Sequence, residues 1–112
     1  PNVRNKKMIA IEKYISDHYT DQTMSAASIA EQFKISPSYL SRIFKADMGI
    51  GIVEYIHRIR IEAAKKLLAH NDLNMNTVAV ESGFSNRWVL TRVFKKICGM
   101  TPGDYRSQCC NE

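Results

Sequence analysis

Residues that interrupt a helix are few in this chain. Three prolines and five glycines punctuate 112 residues, and nowhere between them do apolar and polar residues alternate long enough to make a strand. Sandwich, barrel and other sheet architectures are thereby excluded. Cysteine is as scarce: Cys98, Cys109 and Cys110 are odd in number, and two are adjacent. Such a set makes neither a disulfide framework nor a paired metal-binding pattern. His18, His57 and His70 are scattered, and none stands at ligand spacing from a cysteine. Reduced thiols in a cytoplasmic protein are the expectation. Uncharged stretches are all short, which leaves no room for an apolar membrane span. The polar opening from Pro1 to Lys7 does not read as a signal peptide; lacking an initiator methionine, it reads as a domain cut from a longer chain. No nucleophile–base arrangement, metal quartet or glycine-rich phosphate loop is present either, so neither an enzyme nor a cofactor is expected.

What the chain has is apolar material and an excess of positive charge. Hydrophobic residues make up 45% of it, enough for a core in one domain or two very small ones. Lysine and arginine number 16 against 11 acids, for a net charge of +5. A modest excess of this kind suits a polyanion without demanding one. Its placement matters more. Between Gly83 and Gly99 stand Arg87, Arg92, Lys95 and Lys96 with no acid among them.

The apolar residues recur with a period near 3.6, which predicts an all-α chain. A first helix is expected from about Asn5 to Tyr19, with Met8, Ile11, Ile15 and Tyr19 on one face. Ser25 caps a short helix running through Phe33. Ser36 caps the next, with Pro37 in the first turn, where its missing N–H costs nothing, and Gly49 ends it. The longest helix is expected from about Ile52 to Ala69, with Ile52, Ile56, Ile59, Ala63 and Leu67 as its apolar stripe. Asn71 to Asn74 forms a turn, and Asn74 caps a short helix that closes at Gly83. A further helix runs from about Asn86 to Ile97, stopped by Gly99, and Thr101-Pro102 opens a last one through about Ser107.

These elements repeat with a period of about fifty residues. Ile29-Ala30 recurs as Val78-Ala79, and Ser36 as Ser85. After one inserted residue, Leu40-Ser41-Arg42-Ile43-Phe44-Lys45 recurs as Leu90-Thr91-Arg92-Val93-Phe94-Lys95. Gly49 matches Gly99, and Tyr55 matches Tyr105. The expected organisation is a first subdomain over residues 1–50, a linker helix over 51–70 and a second subdomain over 71–112.

Each repeat is a short helix, a tight turn and a longer helix, the plan of a helix-turn-helix whose second helix enters the DNA major groove. The longer helices have the required two faces. In the first, Leu40, Ile43 and Phe44 turn inward, and Ser38, Ser41, Arg42 and Lys45 form an outward stripe at i, i+3, i+4 and i+7. In the second, Leu90, Val93, Phe94 and Ile97 turn inward, and Arg87, Trp88, Thr91, Arg92 and Lys95 face outward. Neither stripe has a carboxylate, which fits a groove walled by phosphates. The spacing of Phe44, Phe94, Tyr55 and Tyr105 buries them rather than making stacking platforms for bases. From the residues alone two functions stand. One is sequence-specific binding of duplex DNA; the other is a basic helical module that binds an acidic protein partner.

The segments IAEQFKISPSYLSRIFK at 29–45, RIRIEAAKKLL at 58–68, VESGFSNRWVLTRVFKK at 80–96 and GMTPGDYR at 99–106 together cover about three quarters of the chain. In this order and spacing they resemble the C-terminal DNA-binding domain of AraC/XylS-family bacterial transcription regulators. The resemblance implies seven helices in two homeodomain-like helix-turn-helix subdomains joined by a long helix, with both recognition helices in neighbouring major grooves of double-stranded DNA. A helix of 18 residues is about 27 Å long, and with subdomain widths added it can bridge groove faces about 34 Å apart. Base-reading positions then fall on Ser38, Ser41 and Arg42, and on Arg87, Trp88, Thr91 and Arg92. Arg42 and Arg92 suit a guanine edge, a phosphate or a surface salt bridge. Phosphate contacts are expected from Ser25, Ser36, Lys45, Asn74, Ser85 and Lys95, helped by helix N-termini at Ser25 and Asn74. RNA polymerase and an N-terminal sensor or dimerisation domain are the further partners implied, for an activator.

Four features depart from the family pattern. Val89-Leu90 replace an aromatic pair, which implies a differently packed second core. Trp88 stands where a small or polar residue is usual, either on the groove face or buried. Gly51 replaces a polar cap matched by Thr101, at a cost of a few tenths of a kcal/mol. Lys34 stands where the second copy has Gly83; a left-handed backbone there strains a non-glycine by about 1–2 kcal/mol.

Overall fold

The computed structural model describes residues 6–70 and 72–110; the expected helix start at Asn5 and the turn residue Asn71 lie outside them. Seven helices follow one another: α1 Lys6–His18, α2 Ala26–Gln32, α3 Pro37–Met48, α4 Ile52–Leu68, α5 Met75–Glu81, α6 Arg87–Cys98 and α7 Pro102–Cys110. No strand occurs among the described residues. They form two compact units, divided between Ile56 and His57 within α4. No helix among the described residues is long and apolar enough to cross a membrane.

In the first unit α1 buries Met8, Ile11 and Ile15, and Tyr14 meets Phe33 edge to face at 5.8 Å. Tyr19, expected on the same face, follows the helix and is half-buried. α2 starts in a reciprocal cap. Ser25 Oγ accepts from the Ser28 amide, and Ser28 Oγ accepts from the Ser25 amide, so two otherwise orphaned donors are satisfied. α2 packs on α3, where Leu40 and Phe44 are buried. Phe44 in turn meets Tyr55 at 5.2 Å.

The second unit repeats these devices. α5 and α6 pack together, and α7 packs on α6. Phe94 meets Tyr105 at 5.6 Å, with an interplanar angle of 66° against 67° in the first copy. The Tyr55 amide donates to Gly51 O and the Tyr105 amide to Thr101 O, each at 3.0 Å. Both long helices end on a left-handed glycine, Gly49 and Gly99, whose amides donate back to Lys45 O and Lys95 O. Both Phe rings are buried, as expected, while the two Tyr rings are only half-buried. Arg106 is specific to the second unit. Its guanidinium donates to Leu68 O and His70 O, so α7 supplies partners for carbonyls at the open end of α4.

Three further expectations need correction. The α4 stripe holds at Ile52 and Ile56, but the second unit buries Ile61, Ala64 and Leu68, leaving Ile59, Ala63 and Leu67 half-buried. The helix carries enough apolar residues for two candidate faces, and periodicity alone does not choose between them. Arg60 is also inside, at 7% exposure. The cap matched to Ser36 is not Ser85 but Asn86, whose Oδ1 accepts from the Trp88 and Val89 amides; the inserted residue moves the cap along by one. Finally, α7 continues to Cys110 rather than closing near Ser107, since nothing between these positions breaks a helix.

Candidate nucleic-acid interface

The turn between the short and long helices decides where each long helix points. In the first unit the Ile35 amide donates to Ala30 O and the Lys34 amide to Glu31 O. In the second, Phe84 donates to Ala79 O and Gly83 to Val80 O. Both turns are thus the same closing motif, which needs a left-handed residue at its corner. Lys34 takes that conformation at φ 58° and Gly83 at φ 104°. The left-handed backbone expected at Lys34 is present, and its ammonium end stays exposed.

On α3, Ser38, Ser41, Arg42 and Lys45 are all exposed, opposite buried Leu40 and Phe44. The Arg42 guanidinium lies 5.4 Å from the centre of the Tyr39 ring, an orienting cation–π contact. On α6, Arg87, Trp88, Thr91, Arg92 and Lys95 are exposed, opposite buried Leu90, Val93 and Phe94. Trp88 is 66% exposed, so burial is not its state. Its indole carries the Arg87 guanidinium at 4.6 Å. Thr91 Oγ1 donates to Arg87 O at 2.8 Å, which leaves its methyl group and lone pairs outward. Neither Arg42 nor Arg92 pairs with a carboxylate among the described residues, unlike Lys13 with Asp17 and Lys65 with Glu62.

The remaining expected contacts lie at helix starts. Ser36 Oγ accepts from the Tyr39 amide and Asn74 Oδ1 from the Thr77 amide. Capping occupies only the acceptor side, so the Ser36 hydroxyl hydrogen and the Asn74 amide nitrogen remain as donors. Ser25 is in the same position, and Ser85 is exposed in the turn before Asn86. Val89 is half-buried, packed against the second core that holds Leu90.

Sequence reasoning gave His57 no surroundings. His57 is half-buried against Phe84, with ring centroids 6.3 Å apart. Burial, and then the positive charges of Arg60, Arg92 and Lys96, lower its pKa from the usual 6.5. A lone histidine on an amphipathic helix has no local signal that would reveal such surroundings.

A family model described as a helix-turn-helix domain matches residues 29–108. The arabinose operon regulatory protein of Escherichia coli is 37% identical over 97 residues, which span 87% of this chain and 33% of that protein. The chain therefore spans about a third of the length of that relative. The C-terminal domain of the two-component response regulator yesN from Fusobacterium nucleatum superimposes with a TM-score of 0.86 at 31% identity. The match covers 91% of this chain and 99% of that one. The DNA-binding domain of AdpA, solved in complex with a target DNA, superimposes with a TM-score of 0.82 over 90% of each chain. At 21% identity that likeness speaks for the fold alone. With the family model covering most of both repeats, the chain belongs to the AraC-type family of helix-turn-helix DNA-binding domains, a non-enzymatic module.

Proposed function

We propose that the domain reads a specific duplex DNA sequence with α3 and α6, one in each of two neighbouring major grooves, as the DNA-binding part of a bacterial transcription activator. The observation that carries this reading is the pair of exposed stripes, cationic and hydrogen-bonding and free of carboxylates, each backed by a buried face. Ser38, Ser41 and Arg42 read bases on one side; Arg87, Trp88, Thr91 and Arg92 read them on the other. Ser25, Ser36, Lys45, Asn74, Ser85 and Lys95 hold the phosphates that fix register. The subdomains are residues 1–50 and 71–112, with 51–70 as the linker. Because the arabinose regulator is about three times as long as the matched stretch, the reading includes a sensor or dimerisation domain elsewhere in the protein. RNA polymerase is its further partner, in the bacterial cytoplasm.

Selection of bound sites from a random duplex library, followed by footprinting, tests the proposal. Two short motifs one helical turn apart on one face of the DNA are expected. A single motif would mean that only one recognition helix reads bases. No enrichment at low salt would overturn the reading.

A further inference from the structure

Trp88 is the most exposed large apolar side chain among the described residues, at 66%. An indole has much apolar surface to hide, yet this one lies opposite the face on which α6 buries Leu90, Val93 and Phe94. The backbone beneath it is pinned. Asn86 Oδ1 accepts from the Trp88 and Val89 amides, each at 3.0 Å, which fixes the first turn of the helix. Over the indole lies the Arg87 guanidinium, its carbon 4.6 Å from the ring centre. Among the described residues Arg87 pairs with no carboxylate, and Trp88 meets no other ring. The two side chains thus form one exposed unit, a cation resting on a π face. Stacking covers a face of the guanidinium and leaves its N–H edge free to donate.

The dimensions of that unit match a base step. A guanidinium that donates to both O6 and N7 of a guanine lies close to the plane of that base pair. A ring stacked on its face then sits at the level of the adjoining pair, because successive pairs are about 3.4 Å apart. Base edges in the major groove are donors and acceptors, apart from the 5-methyl group of thymine. A flat apolar ring at that level gains from a methyl group, and loses where it strips water from a polar edge. We propose that Arg87 and Trp88 read a two-base step as one unit, Arg87 taking a guanine and Trp88 packing on the 5-methyl group of a pyrimidine in the adjoining pair. That pyrimidine is thymine, or a cytosine bearing the same methyl group, so cytosine methylation is read there as well. The proposal rests on the DNA-binding reading above and adds the chemistry of the step to it.

Affinities of this chain for the selected duplex, with bases altered one at a time, test the step. Uracil in place of thymine removes only the methyl group. At one thymine beside a guanine it should weaken binding about fourfold, the worth of one buried methyl. At the same position 5-methylcytosine should bind about fourfold more tightly than cytosine. In the adjoining pair 7-deazaguanine, which lacks the N7 acceptor, should cost about tenfold. W88A alters an exposed side chain and should keep its helical circular dichroism; in it both methyl effects should vanish. In R87A the deazaguanine effect should vanish. Sequence-selective binding that is indifferent to 5-methyl groups, or a W88A that keeps the methyl preference, overturns the proposal while sparing the DNA reading. A methyl effect with no guanine contact by Arg87 in the adjoining pair also overturns it, since the two side chains would then act separately. Absence of duplex binding at low salt would sink both.

Discussion

Lys34 and Gly83 solve one geometric problem with different chemistry. Each is the left-handed corner of the turn that aims a recognition helix. A side chain at that corner brings Cβ against the backbone, and glycine does not. Lys34→Gly should therefore stabilise the domain, by about 0.5–1 kcal/mol once the greater freedom of glycine in the unfolded chain is set against the relieved strain. Urea unfolding of the two proteins measures it; a loss of stability would show that Lys34 is held there by something worth more than its strain. His57 supports a second residue-scale prediction. Its folded pKa lies below the unfolded 6.5, so the unfolded chain binds the extra proton more readily. The associated stability is present above about pH 6.5 and is lost as pH falls through the folded value. Thermal unfolding across pH 5 to 8 should show this decline in the native chain, and a shallower one in His57→Gln, whose side chain does not titrate. Equal slopes would mean that carboxylates alone carry the acid sensitivity.

At the level of helices, the caps carry the most local information. Asn86 binds two amides at the start of α6, whereas Ser85 is exposed in the turn. Asn86→Ala should cost about 1 kcal/mol in chemical unfolding, and Ser85→Ala should leave stability unchanged; comparable costs would return the cap to Ser85. Helix boundaries were readable because Ser25, Ser36 and Asn74 cap where their side chains suggest, and because Gly49 and Gly99 stop helices in the conformation glycine favours. Those signals are local. The buried face of α4 was not readable, because Ile59, Ile61, Ala63 and Ala64 offer apolar surface on adjoining sides and only the partner core selects among them. Burial of Arg60 and the bond from Arg106 to Leu68 and His70, 38 and 36 residues away, are tertiary facts with no periodicity of their own. The outward stripes of α3 and α6 were readable as the complements of their apolar faces.

Across the whole chain, one unit has been used twice and its exposed surface has diverged. The shared parts are internal: the turn motif, the glycine stops and the Phe–Tyr contacts at 5.2 and 5.6 Å. The differing parts face outward. α3 offers two serines and Arg42, with short reach apart from the arginine; α6 offers Arg87 already stacked on Trp88, together with Thr91 and Arg92. A guanidinium pairs in two places with the O6 and N7 of guanine, and each such pair discriminates by about 1–3 kcal/mol. A serine hydroxyl reaches less far and accepts either partner. The half-site read by α6 should therefore show the stronger G·C preference. Replacing Arg92 by Ala should relax base choice at one position of that half-site, whereas Lys95→Ala should weaken all duplexes alike and lower the salt dependence. Base-by-base affinity scanning of the selected duplex decides the matter. If the half-site assigned to α3 carried most of the sequence information, the greater reach of the α6 side chains would be spent on phosphates, and Arg87 and Arg92 would belong with Lys95 as backbone contacts.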